Sequence, residues 1–114
     1  MKILFVENHS EFVAIAIREF FADASVRVAA SVEQAKKEMA TTTFDVILVD
    51  YDLEDGKGTQ VIEHARRKEE NTPIIAISSH PFGNQRLLAS GADAVCAKTH
   101  FRGIKKVLDK LVPR

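Results

Sequence analysis

Three short, strongly apolar runs constrain this chain more than any other feature: Ile3-Leu4-Phe5-Val6, Phe44-Asp45-Val46-Ile47-Leu48-Val49 and Ile74-Ile75-Ala76-Ile77. Runs this short and this apolar have no polar face to turn to water, so each reads as a strand covered on both sides, as in a parallel sheet. Each stops abruptly on polar residues: Glu7-Asn8-His9-Ser10, Asp50, and Ser78-Ser79-His80-Pro81. Val26-Arg27-Val28-Ala29 and Ala94-Val95-Cys96-Ala97 are weaker strand candidates, expected further from the centre of the sheet.

Helical patterns fill the intervals. Over 11–24, Phe12, Ile15, Ala16, Glu19 and Phe20 share one face, and Val13, Ile17 and Phe21 make this helix apolar on most sides. Ser31-Val32-Glu33-Gln34 has the form of a capping box with Ser31 as N-cap, which turns Val32, Ala35 and Met39 inward. A helix over 59–68 offers Val61, Ile62 and Ala65 to the core. A shorter one over 84–90 ends at Gly91, a C-cap residue. In the last helix Ile104, Val107, Leu108 and Leu111 face inward, opposite Arg102, Lys105, Lys106 and Lys110. Five strands and five helices thus alternate strictly. Right-handed crossovers must then cover both faces of a parallel sheet, which makes an α/β fold. With 114 residues and no repeat, linker or low-complexity tract, 1–114 reads as one domain.

Composition narrows the function. Sixteen Lys+Arg balance sixteen Asp+Glu, so the positive excess of a non-specific nucleic-acid binder is missing, and no direct nucleic-acid binding is expected. The single cysteine cannot form an internal disulfide and suits a reducing cytoplasm. No apolar run approaches the ~20 residues of a membrane span.

In open α/β sheets, binding groups collect beyond the carboxyl ends of the strands. On that rim the pattern places Glu7, Asn8 and His9; then Asp50, Tyr51, Asp52, Glu54, Asp55, Gly56 and Gly58; then Ser78, Ser79 and His80; and last Lys98, Thr99 and His100. The sequence here resembles the receiver domain of two-component response regulators over essentially its whole length. The resemblance rests on Ile3-Leu4-Phe5-Val6-Glu7-Asn8, on Phe44-Asp45-Val46-Ile47-Leu48-Val49-Asp50 with Gly58 eight residues later, on Pro73-Ile74-Ile75-Ala76-Ile77-Ser78, and on Gly91-Ala92-Asp93-Ala94-Val95-Cys96-Ala97-Lys98. It implies a flavodoxin-like, doubly wound five-stranded parallel sheet of order 2-1-3-4-5 with five flanking helices.

The resemblance also implies roles. Asp50 is the expected phosphoacceptor, taking a phosphoryl group from a histidine kinase or phosphotransfer protein. Glu7 and Asn8 occupy the positions of the family's Mg²⁺-holding acidic pair, with Asp50 and the backbone carbonyl of Asp52 as further ligands, and the Asp52 side chain available as a third carboxylate. Ser78 matches the hydroxyl that contacts the phosphoryl group, and Lys98 the lysine that pairs with carboxylate and phosphate. Such a domain is regulatory rather than an enzyme. Its output is expected to pass through a downstream effector protein or an output domain excised from it. An atypical receiver, serving as a phosphorylation-independent interaction module, is the alternative.

Three positions depart from the family pattern. Asn8 replaces an acid, so Mg²⁺ binding is expected to weaken. Thr99 replaces the usual proline after the lysine, which predicts a trans Lys98–Thr99 bond and a possible displacement of the ammonium. Val95 stands where many receivers carry Tyr or Phe, so no ring can swing inward there. Three further features have ordinary explanations. His9, His80 and His100 lack the close spacing of a transition-metal site and read as loop histidines, and His64 as a solvated one. Cys96 reads as a small core residue. Gly56-Lys57-Gly58-Thr59 lacks the glycine spacing of a phosphate loop and reads as the turn into the third helix.

Overall fold

The structure, a computed structural model, describes residues 1–68 and 71–113. In chain order the elements are β1 (Lys2–Val6), α1 (Ser10–Phe20), β2 (Ser25–Ala29), α2 (Val32–Thr41), β3 (Val46–Val49), β4 (Asp52–Leu53), β5 (Gly56–Lys57), α3 (Gly58–Arg67), β6 (Ile74–Ala76), α4 (Pro81–Ser90), β7 (Ala94–Val95), a 3-10 segment (Lys98–Gly103) and α5 (Ile104–Leu111). Five strands pair in parallel in the order β2-β1-β3-β6-β7. This is the expected 2-1-3-4-5 arrangement, renumbered because the short antiparallel hairpin β4–β5 lies between β3 and α3.

Alternation along the central strands divides the core in two. Leu4, Val6, Ile47, Val49, Ile74 and Ala76 point to one face, where Val32 and Ala35 of α2, Val61, Ile62 and Ala65 of α3 and Leu87 of α4 cover them. Ile3, Phe5, Val46, Leu48, Ile75 and Ile77 point to the other, under Val13 and Ala16 of α1 and Ile104 and Leu108 of α5. Phe101 anchors the second face, with its ring 5.0 Å from Phe12 and 6.1 Å from Phe21. Cys96 is buried there, and burial pushes its thiol pKa up, in keeping with a core role.

Several local expectations change. The first helix ends at Phe20, and Ile15 is exposed together with Glu19; the inward stripe is Val13 and Ala16 flanked by Phe12, Ile17 and Phe20. Ser31 does cap α2, its Oγ accepting from Gln34 N at 3.0 Å, but the Gln34 side chain accepts from Ala30 N and so reaches one residue further back than a capping box requires. Asp55 supplies a second cap from a distance: its carboxylate accepts from Val32 N at 2.7 Å and Glu33 N at 3.1 Å, and these bonds lower its pKa. The fourth helix starts at Pro81, earlier than expected, because proline suits a first helical position. His64 is half-buried rather than fully solvated, and burial followed by the charges of Lys36, Lys68 and Arg67 lowers its pKa. The α4 C-cap Gly91 has φ 122°, a conformation that favours glycine.

Candidate functional site

β1 and β3 are adjacent, so their carboxyl ends carry Glu7 and Asp50 side by side; Asp50 N still pairs with Val6 O at 2.9 Å. Both are buried, Glu7 at 1% and Asp50 at 6% exposure. Gly58 holds the strand end in place. It opens α3 so close to β3 that a Cβ there would lie 2.0 Å from the Asp50 carbonyl oxygen, and its N–H donates to Tyr51 O. No residue with a side chain fits at that contact.

Lys98, from the 3-10 segment beyond β7, lies between the two acids. Its Nζ is 2.7 Å from Glu7 Oε1 and donates to Asp50 Oδ2 at 3.1 Å, while Phe12 of α1 offers its ring face 5.4 Å away. The backbone has no cis bond among the described residues, so the trans Lys98–Thr99 expectation holds. With that trans bond the ammonium still reaches both acids. Glu7 Oε2 accepts from His9 N at 3.1 Å, whereas Oε1 is buried without an aligned hydrogen-bond donor and is balanced by charge alone.

Burial, and secondarily the Asp50 charge, raises the Glu7 pKa above 4.5 against the opposing pull of Lys98. For Lys98, burial favours the neutral amine, yet the bonds and charges of Glu7 and Asp50 outweigh it and raise the pKa. An acid whose folded-state pKa is raised binds more protons folded than unfolded, so its contribution to stability falls as pH rises from 4.5 through the folded value. Chemical denaturation in chelator is therefore expected to show Glu7→Gln gaining stability relative to wild type across that interval and running parallel above it. A difference independent of pH would contradict the burial argument.

The remaining candidates divide. Ser78 is buried on the same rim, but its Oγ accepts from His80 N at 3.1 Å and its backbone is bound to Asn84 of α4. Asn8 is exposed beside Glu7. Asp52 is not a third carboxylate of the cluster: the β4–β5 hairpin turns it out to solvent, where it pairs with Lys57. The described residues contain no group of three His, Cys, Asp or Glu side chains arranged to hold a metal. His9 caps α1 through Nδ1, accepting from Phe12 N, and His80 and His100 are exposed, so the histidines do not converge. Mg²⁺ nonetheless suits what is present. It takes one or two carboxylates and fills its shell with water, and Glu7 Oε1 is a buried oxygen without a hydrogen-bond partner, close enough to Asp50 to feel its charge.

Tyr51 lies on the rim as the sequence pattern places it, whereas Asn84 carries no signal there as a site residue. Tyr51 follows Asp50, meets Phe82 of α4 edge-on at 6.2 Å and carries Lys57 5.1 Å above its ring. A lone Asn in a helical stretch carries no signal in one sequence. Only the fold brings it to Ser78.

Comparison with known proteins agrees with this geometry. The family model described as "Response regulator receiver domain" matches residues 3–109. The chain belongs to the response regulator receiver domains. Among solved structures, the BeF3-activated N-terminal receiver domain of Klebsiella pneumoniae RstA is similar at 23% identity and TM-score 0.84, with 100% of both chains covered. The receiver domain of a Pseudomonas aeruginosa sensor histidine kinase, with a magnesium ion coordinated in its active-site cleft, shares 22% identity at TM-score 0.84, covering 99% of this chain and 98% of that one. Thermotoga maritima TrrA, in complex with Mg(2+)-BeF, shares 20% at TM-score 0.84, covering 97% and 98%. At these identities the likeness speaks for the fold. A search of curated protein sequences returned no match. Receiver domains are regulatory, and typically work with histidine kinases or phosphotransfer proteins and with effector domains. Among the described residues no helix is long and apolar enough to cross a membrane.

Proposed function

We propose that this chain is a phosphorylation-dependent switch of a phosphorelay, with Asp50 as the phosphoacceptor. The observation that carries the reading is the buried Asp50 carboxylate at the end of a central strand, with the Lys98 ammonium on one of its oxygens. Lys98 holds Oδ2 at 3.1 Å and orients the carboxylate, leaving Oδ1 to attack phosphorus. As the O–P bond forms, the P–N bond of a partner's phosphohistidine breaks, and the imidazole nitrogen leaves with the electron pair and takes a proton. The product is an acyl phosphate on Asp50. Lys98 then faces the phosphoryl charge, and Ser78 can turn its O–H toward it once its oxygen releases His80 N–H. Mg²⁺, when bound, neutralises phosphoryl charge, and Glu7 and Asp50 would hold it, with the Asn8 side-chain carbonyl and the Asp52 backbone carbonyl as neutral ligands. The added charge of roughly −1.5 to −2 alters the rim and thereby partner binding. We read the setting as cytoplasmic, in keeping with a single unpaired cysteine.

Two features favour the alternative of a phosphorylation-independent module: Lys98 already neutralises both carboxylates, and Asn8 brings no charge to attract a cation. Incubation with Mg²⁺ and a small acyl phosphate, followed by intact-protein mass measurement, separates the two. One phosphoryl group is expected on the wild-type chain and none on Asp50→Asn. No gain at saturating donor and metal would favour the alternative.

A further inference from the structure

Beyond β6 the sheet continues to hold Ile77, whose N–H pairs with Val49 O at 3.0 Å. Ser78 is the next residue. Its buried backbone N–H and C=O have left the ladder and need partners. One side chain serves both: Asn84 Oδ1 accepts from Ser78 N at 2.9 Å, and Asn84 Nδ2 donates to Ser78 O at 2.8 Å. Asn84 is itself buried, at 6% exposure, in the first turns of α4. The same turn presses on Ser78 directly, since a Cβ on Gly83 would lie 2.7 Å from Ser78 Oγ and 2.9 Å from Tyr51 Cβ. The Ser78 backbone cannot shift alone, although its hydroxyl can rotate. The backbone either breaks two buried hydrogen bonds or takes the start of α4 with it.

The helix is suited to being carried. Only Gly83, Asn84 and Leu87 of α4 are buried, while Phe82 is 57% and Leu88 43% exposed. Its far end is fixed separately, because Arg66 of α3 donates from Nη2 to Gly91 O at 2.8 Å and from Nη1 to Thr72 O at 3.0 Å. A displacement of Ser78 therefore reaches α4 at its free end, where Phe82 packs on Tyr51 and carries the Arg86 guanidinium 4.8 Å above its ring. Val95, on β7, has no ring to provide another route.

We propose that Asn84 is the positioning residue of Ser78 and couples any shift of the Ser78 backbone, and the hydroxyl it carries, to the Phe82–Arg86 end of α4. The coupling half rests on the function proposed above. The test uses the full chain, unloaded and loaded with beryllium fluoride and Mg²⁺, with amide hydrogen exchange read at Ser78 and over α4. In the unloaded protein Asn84→Ala is expected to speed exchange of the Ser78 amide about tenfold or more. Asn84→Asp keeps the acceptor for that N–H but replaces the donor to Ser78 O by a carboxylate oxygen, so its exchange is expected to fall between those of wild type and Asn84→Ala; it also serves if the alanine variant folds poorly. Unchanged Ser78 exchange in Asn84→Ala overturns the positioning role, whatever happens at Asp50. On loading, the wild type is expected to change exchange in the first turn of α4, and Asn84→Ala to take up the ligand with that change lost. A full α4 response in Asn84→Ala overturns the coupling. A wild-type chain that takes no ligand removes the proposed function and the coupling together, and the Ser78 amide still decides the positioning role.

Discussion

Lys98→Met is expected to slow phosphoryl uptake from a small acyl phosphate about a hundredfold, because it removes the fixed positive charge on the attacked carboxylate while keeping the apolar stem beside Phe12. The same change leaves Glu7 and Asp50 as buried neighbours without a counter-charge. Breaking a buried pair in this way costs about 3–5 kcal/mol in full burial; Lys98 is 20% exposed at the side chain, so about 2 to 3 kcal/mol at neutral pH is the reasonable expectation. The loss should shrink as the pH falls, because protonation of Glu7, whose pKa is already raised, removes one of the two unbalanced charges. Uptake rates by mass spectrometry and urea melts at pH 5 and pH 8 check both halves. Wild-type uptake by Lys98→Met would remove the lysine from the reaction.

Asn8→Asp is expected to tighten Mg²⁺ binding by about tenfold or more, measured as the ion concentration that half-saturates the chain in a calorimetric or fluorescence titration. The rim now sets two carboxylates against one ammonium, and with Asp52 paired to Lys57 no third acid compensates for Asn8. A new carboxylate at position 8 would join Glu7 and Asp50 without disturbing the core, since that side chain is exposed. An unchanged affinity would mean that position 8 does not face the cation.

What was legible in the sequence follows from how each element is stabilised. β1, β3 and β6 are covered on both faces, and a continuous apolar run is the direct imprint of that burial. β7 keeps only Ala94–Val95 in the ladder, because the chain turns into the 3-10 segment that delivers Lys98, and nothing in Ala94-Val95-Cys96-Ala97 announces where pairing stops. The β4–β5 hairpin leaves no mark in the sequence, since two-residue strands have no periodicity to detect, and it is this hairpin that turns the Asp52 side chain out to Lys57. The strand order came from family resemblance, because alternation alone is compatible with several orders. Glu7, Asp50 and Lys98 could be expected on one rim, for they follow strands of one parallel sheet. The attachment of Ser78 to Asn84 could not, because it depends on the angle at which α4 leaves the loop.

The long-range cap made by Asp55 bears on how molecules reach Asp50. By gripping the start of α2, that carboxylate ties the turn between β4 and β5 to a second element, so the turn must break two further hydrogen bonds before it can swing. Any opening of the rim around Asp50 is therefore expected first on the other side, in the stretch 78–80 and the helix it leads into.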